Sequence, residues 1–178
     1  LQLWQPREPG LAPPVPGPTR YVFMGRLVDV KRVDLLLEAF AQACRQQPMS
    51  LLVIGDGPLL PELKQQALAL GILAPHSESA SGVHFAGWMT QRDAAQQLKN
   101  QDCLVLPSIR ECGGAVVLEA MAASLPVIAV DWGGPADYLD ASCGILVPPL
   151  SARHVMLAMS EALVKLARDP DLRRRLGA

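Results

Sequence analysis

Apolar positions along the chain fall into two alternating patterns. Short runs of β-branched and aromatic residues end at glycine or proline, and longer stretches between them repeat their apolar positions every three or four residues. Strands are predicted at residues 20–24, 50–54, 83–86, 104–107 and 127–130, with a sixth at 144–147 before Pro148-Pro149. Helices are predicted at 33–46, where Leu36, Leu37, Phe40 and Cys44 share a face, and at 58–70, opened by Pro58. Further helices are predicted at 91–99 with Thr90 as cap and Asp93 at the third position, at 115–123, at 151–167 with Ser151 as cap, and at 171–176 after Asp169-Pro170. Strands alternating with helices and glycine turns predict an α/β fold with a doubly wound parallel sheet, without internal repeat.

Two stretches stand outside this rhythm. Residues 1–19 (LQLWQPREPGLAPPVPGPT) are dense in proline and glycine and read as a semi-rigid interdomain linker remnant. Residues 20–178 then form one domain, expected to be a piece of a longer protein and truncated at its C-terminal end. Residues 76–81 (HSESAS) read as a polar surface loop.

The stretch from Leu104 to Val130 concentrates the candidate chemistry. It reads as strand, glycine turn, helix and strand, with Glu111, Gly113, Gly114 and Ala115 at the turn and Glu119 inside the helix. In an open parallel sheet, ligands lie in the crevice beyond the carboxyl ends of the strands. Glycines there let backbone approach a ligand, and a helix start favours an anion. Glu119 lies one to two turns into an otherwise apolar helix, where a carboxylate is costly to bury unless donors meet it. A ligand anionic at one end and rich in hydroxyls at the other fits, and a nucleotide sugar has that form. The plain alternative is two glutamates eight residues apart by chance, with Glu119 paired to an arginine.

The loop after the first strand adds Gly25, Arg26 and Lys31 on the same edge. A planar guanidinium and a flexible ammonium suit a diphosphate, although an isolated pair of cations is more often a solvated loop. Gly55-Asp56-Gly57-Pro58 lacks the third glycine of a dinucleotide fingerprint and reads as a tight turn. Gly87-Trp88 closes the third strand, where an indole is more often packing than a stacking platform. Gly133 and Gly134 open a turn through Asp137, and two glycines there would let backbone N–H groups approach a ligand.

Composition narrows the classes. Of 178 residues, 50% are hydrophobic, enough for a substantial core, and 16 Lys+Arg against 17 Asp+Glu leave a net charge of -1. Bulk charge therefore points neither to nucleic acid nor to an anionic membrane. The run Arg173-Arg174-Arg175 reads as a solvated helix face. The four cysteines (Cys44, Cys103, Cys112, Cys143) form no Cys-x-x-Cys pair and the three histidines are scattered, so no metal site is written. They read as small apolar residues of a reduced, cytoplasmic protein, with Cys112 singled out by its place in the motif turn. No apolar run approaches the ~18 residues of a membrane span.

RECGGAVVLEAMAASLPVIA resembles the E-x7-E region of the retaining glycosyltransferases of family 4, or group 1. The usual wording there is E-x-F-G-x-x-x-x-E-A-M-A-x-G-x-P-V-I-A. Glu111, Gly114, Glu119, Ala120, Met121, Ala122, Pro126, Val127, Ile128 and Ala129 match it. Gly25, Arg26, Leu27 and Lys31 match G-R-L-x-x-x-K-G, and the turns at 55–58 and 133–137 and the D-P-x-L-R-x-x-L-G ending extend the likeness over residues 21–177. The departures are Arg32 and Ser124 in place of glycines, Gly113 in place of the aromatic, and Asp137 in place of a glutamate.

The resemblance implies the Rossmann-like C-terminal half of a GT-B fold, which binds the donor. It implies that Arg26 and Lys31 neutralise the diphosphate, Gly114 donates backbone N–H, Glu111 binds hydroxyls of the transferred sugar and Glu119 binds the ribose. Gly25, Gly87, Gly113, Ala115, Gly133 and Gly134 would complete the donor contacts. Implied further are a UDP- or GDP-linked hexose as substrate, no metal or other cofactor, and a glycan or lipid acceptor held by an absent N-terminal domain. The expected location is the cytoplasm, at the cytoplasmic face of the membrane for the longer protein. A non-catalytic nucleotide-sugar binding module, and an epimerase or phosphorylase on the same architecture, are the alternatives.

Overall fold

The computed structural model describes residues 3–6, 17–75 and 81–178. Six parallel strands, β1 (Thr19–Met24), β2 (Met49–Ile54), β3 (Gly82–Gly87), β4 (Cys103–Leu106), β5 (Val127–Val130) and β6 (Gly144–Val147), form one sheet in the order β3-β2-β1-β4-β5-β6. Helices α1 (Val33–Cys44), α2 (Leu60–Ala69), α3 (Gln91–Leu98), α4 (Ala115–Ala122), α5 (Gly134–Tyr138), α6 (Ala152–Arg168) and α7 (Pro170–Leu176) connect and cover it. β4 and β5 are buried throughout, as expected of central parallel strands covered on both faces, whereas β3 at one edge is mostly half-buried. The fold is the doubly wound, Rossmann-like α/β sheet expected.

Strand order reverses between β1 and β4. From β1 the chain winds towards β2 and β3, and from β4 towards β5 and β6, so the loops after β1 and β4 diverge and leave a crevice between them. At the opposite end of these strands Arg20 clasps Asp102, with Nε–Oδ2 at 3.1 Å and Nη2–Oδ1 at 3.0 Å, while the Asp102 N–H donates to the Arg20 carbonyl at 2.7 Å. That two-pronged contact sets the β1–β4 register on which the crevice depends.

The loops on the crevice edge are hydrogen-bonded to one another. Gly25 N–H donates to Ile54 O (3.0 Å), Leu27 N–H to Asp56 O (2.9 Å) and Gly55 N–H to Gly87 O (2.8 Å). Gly55 has φ +140°, and a Cβ there would fall 1.9 Å from Gly25 O, so only glycine permits this approach. Across the switch point, Ile109 N–H reaches Val30 O at 3.1 Å.

Three expectations need correction. α2 begins at Leu60 with Pro61 in its first turn, and Pro58 lies in the turn before it, because the loop first packs Gly57 against Leu27. The stretch Gly133–Asp137, read as a turn, continues into the short helix α5. Trp4, within the stretch read as linker, is buried in the core. The remainder of that stretch, apart from residues 3–6 and 17–19, lies outside the described residues, as do residues 76–80 of the polar loop.

Arg32 and Ser124 stand where the resemblance has glycine. Both keep a left-handed backbone, with φ 49° and 58°, and among the described residues they are the non-glycine positions that do so. The loop paths are therefore those a glycine would take, and Arg32 is held by an ion pair to Asp34 at 2.8 Å.

Candidate functional site

A pocket of about 330 Å³ opens at the carboxyl edge of the sheet beside the switch point. Its floor is the end of β1 and β2, with Gly25, Arg26 and Asp56 in the loops that follow. α4 supplies Ala115, Val116 and Glu119. These lie on one helix face because residues three and four apart are neighbours. Trp4 and Trp88 also line it; Trp88 is 73% exposed whereas Trp4 is nearly covered. Thus Gly25, Arg26, Ala115 and Glu119, chosen from two distant stretches, meet in one cavity.

Glu119 is half-buried, and burial raises its pKa above the ordinary carboxylate value. Arg26 is exposed and has no ion pair among the described residues. A guanidinium and a carboxylate thus share the pocket, each able to serve a ligand.

A second, polar cluster borders this pocket. Lys31 Nζ pairs with Glu111 Oε2, and Glu111 Oε1 accepts from the Gly114 N–H at 3.2 Å. The side chains are 19% and 12% exposed, so the pair is only partly screened by water. The Lys31 stem runs past Gly25, whose Cβ position would lie 3.9 Å from Lys31 Cε, which joins cluster to pocket. With the Gly114 N–H taken by Glu111, the first-turn residues of α4 that line the pocket are Ala115 and Val116. Their N–H groups lack intrahelical acceptors by the geometry of any helix start.

Of the remaining predicted glycines, Gly87, Gly133 and Gly134 make close backbone contacts with neighbouring loops. Gly87 accepts from Gly55 through its carbonyl and has φ +75°. Gly134 N–H donates to Glu111 O and Cys112 O, each at 3.1 Å, and a Cβ at Gly133 would fall 2.0 Å from Glu111 O. Gly133 and Gly134 thus press the loop after β5 onto the loop that bears Glu111. Gly113 has open space where its side chain would be.

Trp4, Asp56, Val116 and Tyr138 were not singled out from the sequence. Val116 was accessible through its three-residue spacing from Glu119. Trp4 and Tyr138 reach the site through long-range contacts that no local pattern announces. The cysteines are free: Cys103 is buried, Cys44 and Cys143 are half-buried and Cys112 is exposed. Among the described residues no three of His, Cys, Asp and Glu gather as a metal site would require, and no helix is long and apolar enough to cross a membrane.

Fold, switch-point crevice and edge loops together define a doubly wound, Rossmann-like α/β domain with a pocket at its switch point. The chain belongs to the glycosyl transferases group 1 family, whose model matches residues 12–178. It is 30% identical over 157 residues to an alpha-D-kanosaminyltransferase of Streptomyces kanamyceticus, covering 87% of this chain and 38% of that protein. It is 33% identical over 168 residues to a D-inositol 3-phosphate glycosyltransferase of Streptomyces bingchenggensis, covering 88% of this chain and 34% of that protein. Among solved structures, the C-terminal domain of a glycosyl transferase group 1 family protein (LpcC) from Francisella tularensis superposes with a TM-score of 0.80 at 26% identity. That match covers 99% of this chain and 91% of that one. The chain thus spans little more than a third of the length of these curated relatives.

Proposed function

We propose that this chain is the donor-binding domain of a retaining glycosyltransferase that moves a hexose-type sugar from a nucleoside diphosphate to an acceptor hydroxyl. The observation that carries this reading is the meeting of Arg26 and Glu119 in one pocket, with the Lys31–Glu111–Gly114 cluster at its border. The order suits the donor: ribose at Glu119, diphosphate between Arg26, Lys31 and the start of α4, sugar at Glu111.

Each side chain has the capacity its role needs. The Glu119 carboxylate can accept from two vicinal ribose hydroxyls. Arg26 offers a planar fork to phosphate oxygens. Lys31 carries three donors, so it can keep Glu111 and still reach a phosphate oxygen. As the glycosyl bond breaks, negative charge grows on the leaving diphosphate, and preorganised cations and helix-start amides favour that state over the ground state. Glu111, with two of its roughly four acceptor positions engaged, keeps the others for sugar hydroxyls. The acceptor hydroxyl attacks from the leaving-group face and passes its proton to the departing phosphate oxygen.

The base is read as uracil or guanine, the charge balance as metal-independent, and the acceptor as a glycan or lipid held by the part of the protein beyond this chain. Calorimetric titration of the chain with UDP, GDP and ADP, with and without EDTA, tests this. One nucleotide should bind selectively and indifferently to EDTA. Glu119→Ala and Arg26→Ala should each weaken it by roughly 1.5–3 kcal/mol, the worth of a hydrogen bond to a charged group. No nucleotide binding at millimolar concentration, or binding untouched by both substitutions, would overturn the reading. The chain alone should transfer no sugar.

A further inference from the structure

The loop carrying Glu111 is held from below by α5. Three successive carbonyls of that loop accept hydrogen bonds from it: Glu111 O and Cys112 O from the Gly134 N–H, and Gly113 O from the Tyr138 hydroxyl. The Tyr138 hydroxyl also lies beside Gly114, 2.8 Å from where a Cβ would sit, with the Pro135 ring at 3.1 Å. Gly114 has φ +55°, so the turn there depends on a glycine and on what packs against it. Gly113 brings no side chain of its own, and no atom lies within 4 Å of its Cβ position. The aromatic side chain that reaches this loop, Tyr138, therefore comes from α5 and does so through its hydroxyl.

We infer that Tyr138 is a positioning residue for Glu111: its hydroxyl anchors the Gly113 carbonyl, so that Glu111 meets the sugar end of the donor. This rests on the donor-domain reading. It separates two halves of the site. Arg26 and Glu119 are carried by the β1 loop and the body of α4, whereas Glu111 depends on a loop clamped by α5. Loss of the clamp should impair recognition of the sugar and spare recognition of the nucleotide.

Two measurements test this on the chain and its Tyr138→Phe variant. Hydrogen exchange is read at the amides of residues 112–114 against those of β4. Calorimetry compares UDP with UDP-glucose, or GDP with GDP-mannose, according to the base the wild-type chain takes. Tyr138→Phe should speed exchange of the Gly114 amide. It should also cut the affinity for the nucleotide sugar about 3- to 10-fold relative to the bare nucleotide, as one neutral hydrogen bond implies. Tyr138→Ala should lose more, and Gly113→Phe added to it should restore part of the difference by returning an aromatic from the loop side. Equal loss for nucleotide and nucleotide sugar, or unchanged exchange, would overturn the inference. A wild-type chain that binds neither ligand would instead overturn the donor-domain reading, with the exchange result still deciding whether Tyr138 holds the loop.

Discussion

Burial holds the Glu119 carboxyl above its ordinary pKa. Its native state therefore binds a proton more readily than its unfolded state, and between the two pKa values stability falls as pH rises. This group's contribution is most favourable below the unfolded value and is lost as pH climbs through the raised native one. Glu119→Gln should accordingly raise the melting temperature at neutral pH and shrink the difference between pH 4 and pH 7, read from thermal scans across that range. On the donor-domain reading, the same substitution should weaken nucleotide binding, and binding to the wild type should strengthen as pH rises through the native pKa and the carboxylate forms. Lys31 and Glu111 are coupled in another way. Removing Lys31 leaves a partly buried carboxylate with one partner fewer. Lys31→Met should cost roughly 1–3 kcal/mol in urea denaturation, and Lys31→Met with Glu111→Gln should cost less than Lys31→Met alone. At this scale Arg26, Lys31, Glu111 and Glu119 were legible because charge type and motif wording are local properties. Tyr138 was not, since its partner Gly113 is 25 residues away.

Between elements, the turns decide the geometry. Ser124 follows α4 in a left-handed backbone that an L side chain adopts at a cost of roughly 1–2 kcal/mol. Ser124→Gly should raise stability by about 1 kcal/mol, seen as a higher urea midpoint at unchanged slope, since glycine's extra unfolded-state entropy offsets part of the gain. Gly133 is the opposite case. A methyl group there would overlap the Glu111 carbonyl, at 2.0 Å, in a backbone already at φ +61°. Gly133→Ala should cost at least about 2 kcal/mol and should weaken nucleotide-sugar binding, measured by denaturation and calorimetry together. Strands, helices and the Thr90 and Ser151 caps followed from periodicity and capping chemistry, both confined to a few neighbouring residues. The start of α2 did not, because Gly57 is drawn towards Leu27, a contact between two loops.

Over the whole molecule, the thiols offer a gauge of cooperativity. Cys103 lies in β4, fully buried, and burial drives its pKa far up; burial also pushes the Cys44 thiol up to about 12. Cys112 is exposed on the motif loop. In the native protein a thiol reagent should label Cys112 first and Cys103 last. The free energy for labelling Cys103 should equal the global unfolding free energy from denaturant, because β4 opens only when the sheet does. Labelling of Cys103 at a rate set by a smaller opening energy would show that the switch-point strands separate before the rest.

The alternation of apolar runs and amphipathic stretches was enough to define a doubly wound α/β domain, and the words around Glu111, Glu119, Arg26 and Lys31 were enough to point at its family. Both signals live in spacing along the chain, where side-chain periodicity and backbone preference act over a few residues. The pairing of Lys31 with Glu111, the clamp of α5 on the motif loop and the return of Trp4 to the pocket wall came only with the folded chain. Each joins segments far apart in sequence, and which segments meet is set by the order β3-β2-β1-β4-β5-β6, which places the loops after β1 and β4 side by side.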